Sequence, residues 1–257
     1  MTRSPGFVHV GIVTLVHGSK MKTSEHKKAA TATPPLGGIW KLLETRGWLA
    51  ERSRDVRARL LGIAQARTYQ PGEPIFSTGE EPRGVYGIAR GAVDISIPRE
   101  DGQEIVVHQG QPGFWVGDLA LFSSQRRLVT ITAATKVDAA MLATGQLHRL
   151  LEQYPDLLMD FYMLSHRNVA TTLQLVANLS MPRAEARVAL RLLIYDQRHS
   201  TSEEWVHLSQ EKLAQLTALS LPTVQRALRR FAEQGAVELS YGRLRILDRQ
   251  KLLGFCG

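Results

Sequence analysis

Cysteine is nearly absent: the only one among 257 residues is Cys256, beside the C-terminus. That excludes an internal disulfide, a four-cysteine zinc site and a cysteine-ligated iron–sulfur cluster. A reducing, cytoplasmic setting fits best. Long hydrophobic runs are missing too, since no segment reaches the roughly eighteen apolar residues that a membrane span requires. The nearest, FVHVGIVTLV at 7–16, is short, contains His9 and lacks a signal peptide's flanks, so no membrane association is expected. The eight histidines show no H-E-x-x-H or Cys/His spacing. With no nucleophile elbow and no catalytic carboxylate pair, neither a metal site nor an enzyme is expected. Asp94, Asp101 and Glu104 straddle a turn and read as solvated, His166 as a packed or seam residue, and Trp115 as core.

The net charge of +8 is unevenly spread. Residues 1–37 carry five Lys/Arg against one acid, residues 38–182 carry fifteen of each, and residues 183–257 carry twelve against eight. A neutral middle with a basic C-terminal quarter suggests one module that senses or assembles and another that meets a polyanion. Residues 1–37 end in small, polar, proline-bearing sequence and read as a disordered basic tail.

Hydrophobic periodicity divides the rest. Ile39 to Ala66 reads as helical, with apolar residues at three- and four-residue steps. From Tyr69 to Ala143 the period changes to two in AVDISIP and LVTITAA, and E-D-G between Ile97 and Ile105 signals a hairpin. Short strands at this spacing imply a small antiparallel barrel or sandwich. The helical period returns and runs for more than twenty residues after Pro155 without interior proline or glycine. Tyr162, Val169, Leu173 and Val176 fall near a 3.5-residue spacing on this helix. Apolar on more than one face, it calls for a second partner, and another copy of itself is the simplest. The resulting division is a tail over 1–37, an effector-type β domain over 38–152, a long dimerisation helix over 153–181 and a C-terminal domain over 182–257.

The strongest signal is LSQEKLAQLTALSLPTVQRALRRFAEQGAVELSYGRLRIL at 208–247. One helix follows Ser209, Ala218 and Leu219 make a turn, and Ser220 is placed to cap a second helix whose buried face is Val224, Ala227, Leu228 and Phe231. Ala214 allows close crossing, and Gly235 ends the second helix. AVELS, Tyr241-Gly242 and RLRIL then form a two-stranded wing carrying Arg243. In helix-turn-helix proteins the second helix enters the DNA major groove. Here its outward face offers Thr223, Gln225, Arg226, Arg229 and Arg230. Gln and Arg read adenine and guanine edges, and further arginines neutralise phosphates.

With GEPIF, STGE, GAVDI, PGFWVGDLALF and RRLVTITA upstream of that motif, the chain resembles the Crp/Fnr family of bacterial transcription regulators over roughly residues 48 to 250. The resemblance implies an α+β fold: an N-terminal antiparallel β-roll of the double-stranded β-helix or jelly-roll type, a long dimerising helix, and a C-terminal winged helix-turn-helix behind a hinge near Pro182. It implies double-stranded DNA, a second copy of the chain and RNA polymerase as partners. Many members place Arg-Glu after the serine that opens the recognition helix. Here Leu221 and Pro222 stand there and only Arg226 matches the motif's second arginine, so a different near-palindromic operator is expected. The other functional class considered, a cyclic-nucleotide-responsive adaptor whose helix-turn-helix binds protein, differs in lacking salt-dependent affinity for one DNA sequence.

The same resemblance maps an effector pocket onto Gly117, Asp118, Leu119, Arg126, Arg127, Leu128, Thr172 and Leu173. Nucleotide-binding relatives use a glutamate on the ribose and Arg-Ser or Arg-Thr on the cyclic phosphate. Asp118 is one methylene shorter than Glu, Leu128 removes a hydroxyl, and Leu173 neighbours the matching Thr172. A site built on hydrogen bonds binds poorly once they are lost. The expected small effector is therefore something other than cyclic AMP or cyclic GMP, or the dimer is constitutively competent.

Overall fold

A computed structural model of the chain describes residues 34–123, 125–196 and 205–257. The basic tail lies outside the described residues up to position 33, and its end differs from the expectation because Leu36 already opens a helix. The helical stretch after it is three short helices, α1 (Leu36–Leu43), α2 (Gly47–Ala50) and α3 (Arg54–Leu61), and Ala64 and Ala66 belong to a strand. Two local features break the run. Gly47 adopts φ +72° with its missing Cβ aimed 2.0 Å from the Gly113 carbonyl oxygen, an approach that only glycine permits. Ser53 caps α3, its Oγ accepting the Val56 N–H at 3.2 Å.

Eight strands follow: β1 (Ala64–Tyr69), β2 (Pro74–Phe76), β3 (Gly84–Arg90), β4 (Val93–Pro98), β5 (Glu104–Gly110), β6 (Trp115–Val116), β7 (Thr130–Ala133) and β8 (Val137–Ala143). They form two four-stranded antiparallel sheets in the orders β1-β8-β3-β6 and β2-β7-β4-β5. The E-D-G turn does close the β4–β5 hairpin, with Ile97 opposite Ile105 and Gly102 at φ +79°. Phe76, Tyr86, Ile88, Val93, Ile131 and Val137 are buried together as the core of the roll. Val85, Ala140 and Leu142 join a different cluster with Trp40, Trp48, Leu147 and Phe161. This follows from strand geometry, because neighbours along a strand point to opposite faces. Trp115 belongs to this helix-side cluster, edge-on to Trp48 at 5.3 Å and to Trp40 at 6.4 Å.

After α5 (Thr144–Gln153), Pro155 precedes α6 (Leu157–Leu179), the long helix of 23 residues. Phe161 and Leu164 bury one side of it, while Tyr162, Val169, Leu173 and Val176 stand exposed. No helix of the described residues is long and apolar enough to cross a membrane. The C-terminal part contains α7 (Ala184–Asp196), α8 (Gln210–Thr217), α9 (Leu221–Glu233), the wing strands β9 (Val237–Ser240) and β10 (Arg243–Ile246), and α10 (Arg249–Gly254). Its core unites Val188, Leu192, Leu213, Val224, Leu228 and Phe231. The short α10 escapes sequence reading because it shows one turn of periodicity. It is pinned by buried Leu252 and by Phe255 packed on Phe231 at 4.4 Å.

Candidate functional site

The helix-turn-helix is built by small local devices. Ser209 caps α8 by accepting the Lys212 N–H at 3.1 Å. Ala218, in the left-handed region at φ 52°, reverses the chain. Pro222 sits in the first turn of α9, where its missing N–H is harmless. Ser220 holds the capping position, but its hydroxyl is 2.8 Å from Thr223 Oγ1 and caps no backbone N–H. Val224, Ala227, Leu228 and Phe231 are buried, so Gln225, Arg226 and Arg229 share the exposed side.

The arginines are not equivalent. Arg230 Nη1 donates to both carboxylate oxygens of Glu185 in α7 at 2.7 and 2.8 Å, so its charge is answered before any phosphate approaches. In the wing, Arg243 lies over the Trp205 ring, 4.4 Å from its centroid, with Arg245 at 5.2 Å. Such stacking fixes a cation without neutralising it. Sequence reasoning misses this platform, for which a tryptophan just before the V-H-L run is the only signal.

The DNA-binding-type domain is joined to strands β4 and β5 of the roll. Lys212 in α8 pairs with Asp94 in β4 at 2.7 Å, and Gln109 donates to the same carboxylate at 3.1 Å. The Tyr195 ring stacks on His108 at 5.4 Å. Arg191 of α7 is fully buried; it donates to Asn178 Oδ1 at the end of α6, to the Val107 carbonyl in β5 and to the Leu216 carbonyl in α8. The expectation that Asp94 is merely solvated is therefore corrected, while Glu104 stays exposed as expected. Asp94 is an inter-domain partner, and Glu104 accepts from Ser96 and Thr130 at 2.6 Å each, bonds that hold its carboxyl below the usual range. Asp101 does stay in the turn, 3.1 Å from Arg99.

The segment from 117 to 128 is arranged by burial. Asp118 opens α4 (Asp118–Ser123) and is 2% exposed. Its carboxylate accepts from Ser165 Oγ at 2.5 Å and Asn168 Nδ2 at 3.0 Å, both on α6. Burial pushes its carboxyl up, with those bonds opposing. Arg127 is 3% exposed and donates to the carbonyls of Gly117 at 2.8 Å and Gly84 at 2.6 Å, with its guanidinium 4.1 Å from the Phe76 ring centre. Leu119 and Leu128 point outward, Leu128 being 67% exposed. Arg126 is exposed and pairs with Glu81 at 3.2 Å. Thr172 returns its hydroxyl to the Asn168 carbonyl at 3.0 Å, and Leu173 is exposed. Of the eight positions mapped from sequence, Arg127 alone lines the cavity in the roll. Among the described residues no cluster of His, Cys, Asp and Glu could hold a metal ion; His166 is exposed on α6.

Gly117 makes the Arg127 arrangement possible. At φ +105°, a Cβ on it would lie 2.7 Å from Arg127 Nη1 and 2.9 Å from the Gly84 oxygen. Gly117→Ala is expected to destabilise the fold by about 1 to 3 kcal/mol, through backbone strain and overpacking together. Urea denaturation checks this, and an unchanged midpoint would refute it.

Comparison with known proteins places this geometry. Residues 66–154 match the cyclic nucleotide-binding domain and residues 186–255 the Crp-like helix-turn-helix domain. The chain belongs to the Crp/Fnr family of transcription regulators. It is 29% identical over 200 residues to the CRP-like cAMP-activated global transcriptional regulator of Mycobacterium tuberculosis, covering 76% of this chain and 89% of that one. The transcriptional regulatory protein btr of Bordetella pertussis is 24% identical over 182 residues, 69% of this chain and 75% of that protein. Among solved structures, FixK2 of Bradyrhizobium japonicum superposes with a TM-score of 0.66 at 21% identity, covering 76% of this chain and 98% of that one. The two Crp/Fnr domain matches leave residues 155–185 between them, which hold α6 and Asn178, while Arg191 and Lys212 fall within the helix-turn-helix match.

Proposed function

We propose that this Crp/Fnr regulator acts in the cytoplasm as a homodimer on a near-palindromic operator, placing α9 of each protomer in the major groove of one half-site. The observation that carries the reading is the division of α9 into a buried face of Val224, Ala227, Leu228 and Phe231 and an exposed face of Gln225, Arg226 and Arg229. Arg226 meets a guanine, Gln225 and Thr223 contribute base contacts, and Arg229, Ser220 and the Trp205-backed Arg243 meet phosphates. Arg230, tied to Glu185, adds less. The partner in transcription is RNA polymerase.

Arg226→Ala is expected to weaken operator binding by about 1 to 3 kcal/mol and to relax preference at one base pair per half-site. Arg229→Ala is expected to weaken all sequences alike and to reduce the salt slope. Binding-site selection followed by titration at several salt concentrations measures both. Undiminished selectivity in Arg226→Ala would remove α9 as the reading element.

Cyclic nucleotide is not the effector in this reading. The carboxylate that a ribose would need is held by Ser165 and Asn168, and the position after Arg127 is an outward-facing leucine.

A further inference from the structure

Two stripes run along α6 on opposite sides. Leu157, Phe161, Leu164, Thr171 and Asn178 are buried against the rest of the chain. Met159, Tyr162, His166, Val169, Leu173 and Val176 are all exposed, roughly half a turn away. The exposed set advances by steps of three, four, three, four and three, the alternation that packs one helix along another in a continuous seam. His166 stands in the middle of it. It is the only member whose charge changes between about pH 5 and 8.

The symmetry of the task decides what His166 faces. Each winged helix follows the C-terminal end of α6, and the two must reach half-sites about one helical turn apart on the same duplex. The two α6 helices therefore run parallel, and in a parallel two-fold seam each residue meets its equivalent. His166 lies against the same residue of the second copy, with Tyr162 one layer before and Val169 one layer after.

No carboxylate answers a charge there. The flanking positions Leu158, Met163, Ser165, Ala170, Thr172 and Ala177 carry none. The other charged residues of α6 are engaged within the chain, Asp160 with Arg52 at 3.0 Å and Arg167 with Glu51 at 2.7 Å. Asp118 approaches from α4, but it is buried on the inner side and held by Ser165 and Asn168. Arg187 and Arg191 of α7 meet α6 only at Asn178, about three turns further on. Two neutral imidazoles can share a hydrogen bond across the seam, the N–H of one donating to the bare ring nitrogen of the other. Two imidazolium rings have donors only, and they bring like charges together where water is scarce.

We infer that His166 makes the dimer proton-sensitive: neutral imidazoles complete the seam, and protonation drives the two copies apart. This rests on the homodimer proposed above. The dimer holds fewer protons than two separate chains, so its affinity is full above the histidine range and is lost as pH falls through it.

Sedimentation equilibrium of the full chain, in EDTA at constant ionic strength, tests this between about pH 7.5 and about pH 5.5. Dimer affinity is expected to fall at the acid end by about tenfold if the seam excludes one proton and about a hundredfold if it excludes two. His166→Leu should dimerise more tightly than wild type and without pH dependence. His166→Gln should lose the pH dependence, and His166→Lys should stay monomeric throughout. His148→Gln, at an exposed position on α5, should keep the wild-type profile. Near-ultraviolet circular dichroism confirms that each monomer remains folded. A wild-type dimer equally tight at both pH values, or an unchanged pH profile in His166→Gln, would overturn the inference and leave the dimer standing. Wild type and His166→Leu both monomeric at every pH would overturn the dimer and the inference together.

Discussion

Replacing Val169 and Leu173 together by glutamate is expected to turn a dimer into monomers and to lower operator affinity by about 10²- to 10⁴-fold. The basis is the outward face of α6. Tyr162 is 63% exposed, Val169 46%, Leu173 65% and Val176 59%, and these positions repeat at steps of seven, four and three. Aligned on a helix about 34 Å long, they form a stripe that a lone chain would leave in water. A second copy buries it by a two-fold seam in which each residue meets its equivalent or near-equivalent. Glutamates there bring like charges together across the seam in a poorly solvated place, which disfavours both partners. The loss in DNA binding follows from avidity: a tethered second recognition helix binds as though at millimolar concentration, and a monomer forfeits that factor without losing any contact to its own half-site. Sedimentation at about 10 µM and operator titration give the two readouts. Wild-type protein sedimenting as a monomer would sink the idea. A monomeric variant that still bound the full operator tightly would detach dimerisation from function.

Much of this organisation is legible in sequence because it rests on local signals. Period-two runs between glycines gave away the roll, and the turn at Ala218 between two amphipathic helices gave away the helix-turn-helix. What stays hidden depends on partners far along the chain. Asp118 reads as a ligand-facing acid, yet Ser165 and Asn168, 47 and 50 residues on, take up its carboxylate. Asp94 reads as a solvated turn residue until Lys212, 118 residues away, pairs with it. The break of the N-terminal helical pattern depends on Gly113 approaching Gly47, which no window of local sequence reports. Arg191 is the extreme case. In sequence it is one more basic residue on an amphipathic helix; in the structure it is the least exposed cation of the hinge.

That position makes Arg191→Met the second substitution with a large expected effect. The guanidinium ties three elements together: the Asn178 side chain at the end of α6 through Nε at 3.0 Å, the Val107 carbonyl in the edge strand of the roll through Nη1 at 3.2 Å, and the Leu216 carbonyl in α8 through Nη2. Asn178 in turn donates to the Arg187 carbonyl at 2.6 Å, and Arg187 reaches Met181 and Thr217. Methionine preserves much of the volume and removes the cost of burying a cation, and both effects favour the variant. Against this, three acceptors lose their donor, each worth about 1 to 3 kcal/mol when buried and unsatisfied. The second effect wins, and a net destabilisation of about 2 to 4 kcal/mol is expected. The loss falls on the joint, because two of the three acceptors, Asn178 in α6 and Val107 in β5, lie outside the winged helix. Calorimetric unfolding should therefore change from one transition to two, the roll and the winged helix melting separately. Arg191→Lys, which keeps the charge but cannot reach three acceptors, should fall between. A single transition at the wild-type temperature in Arg191→Met would show that the joint is held by the Lys212–Asp94 pair and the Tyr195–His108 stack instead.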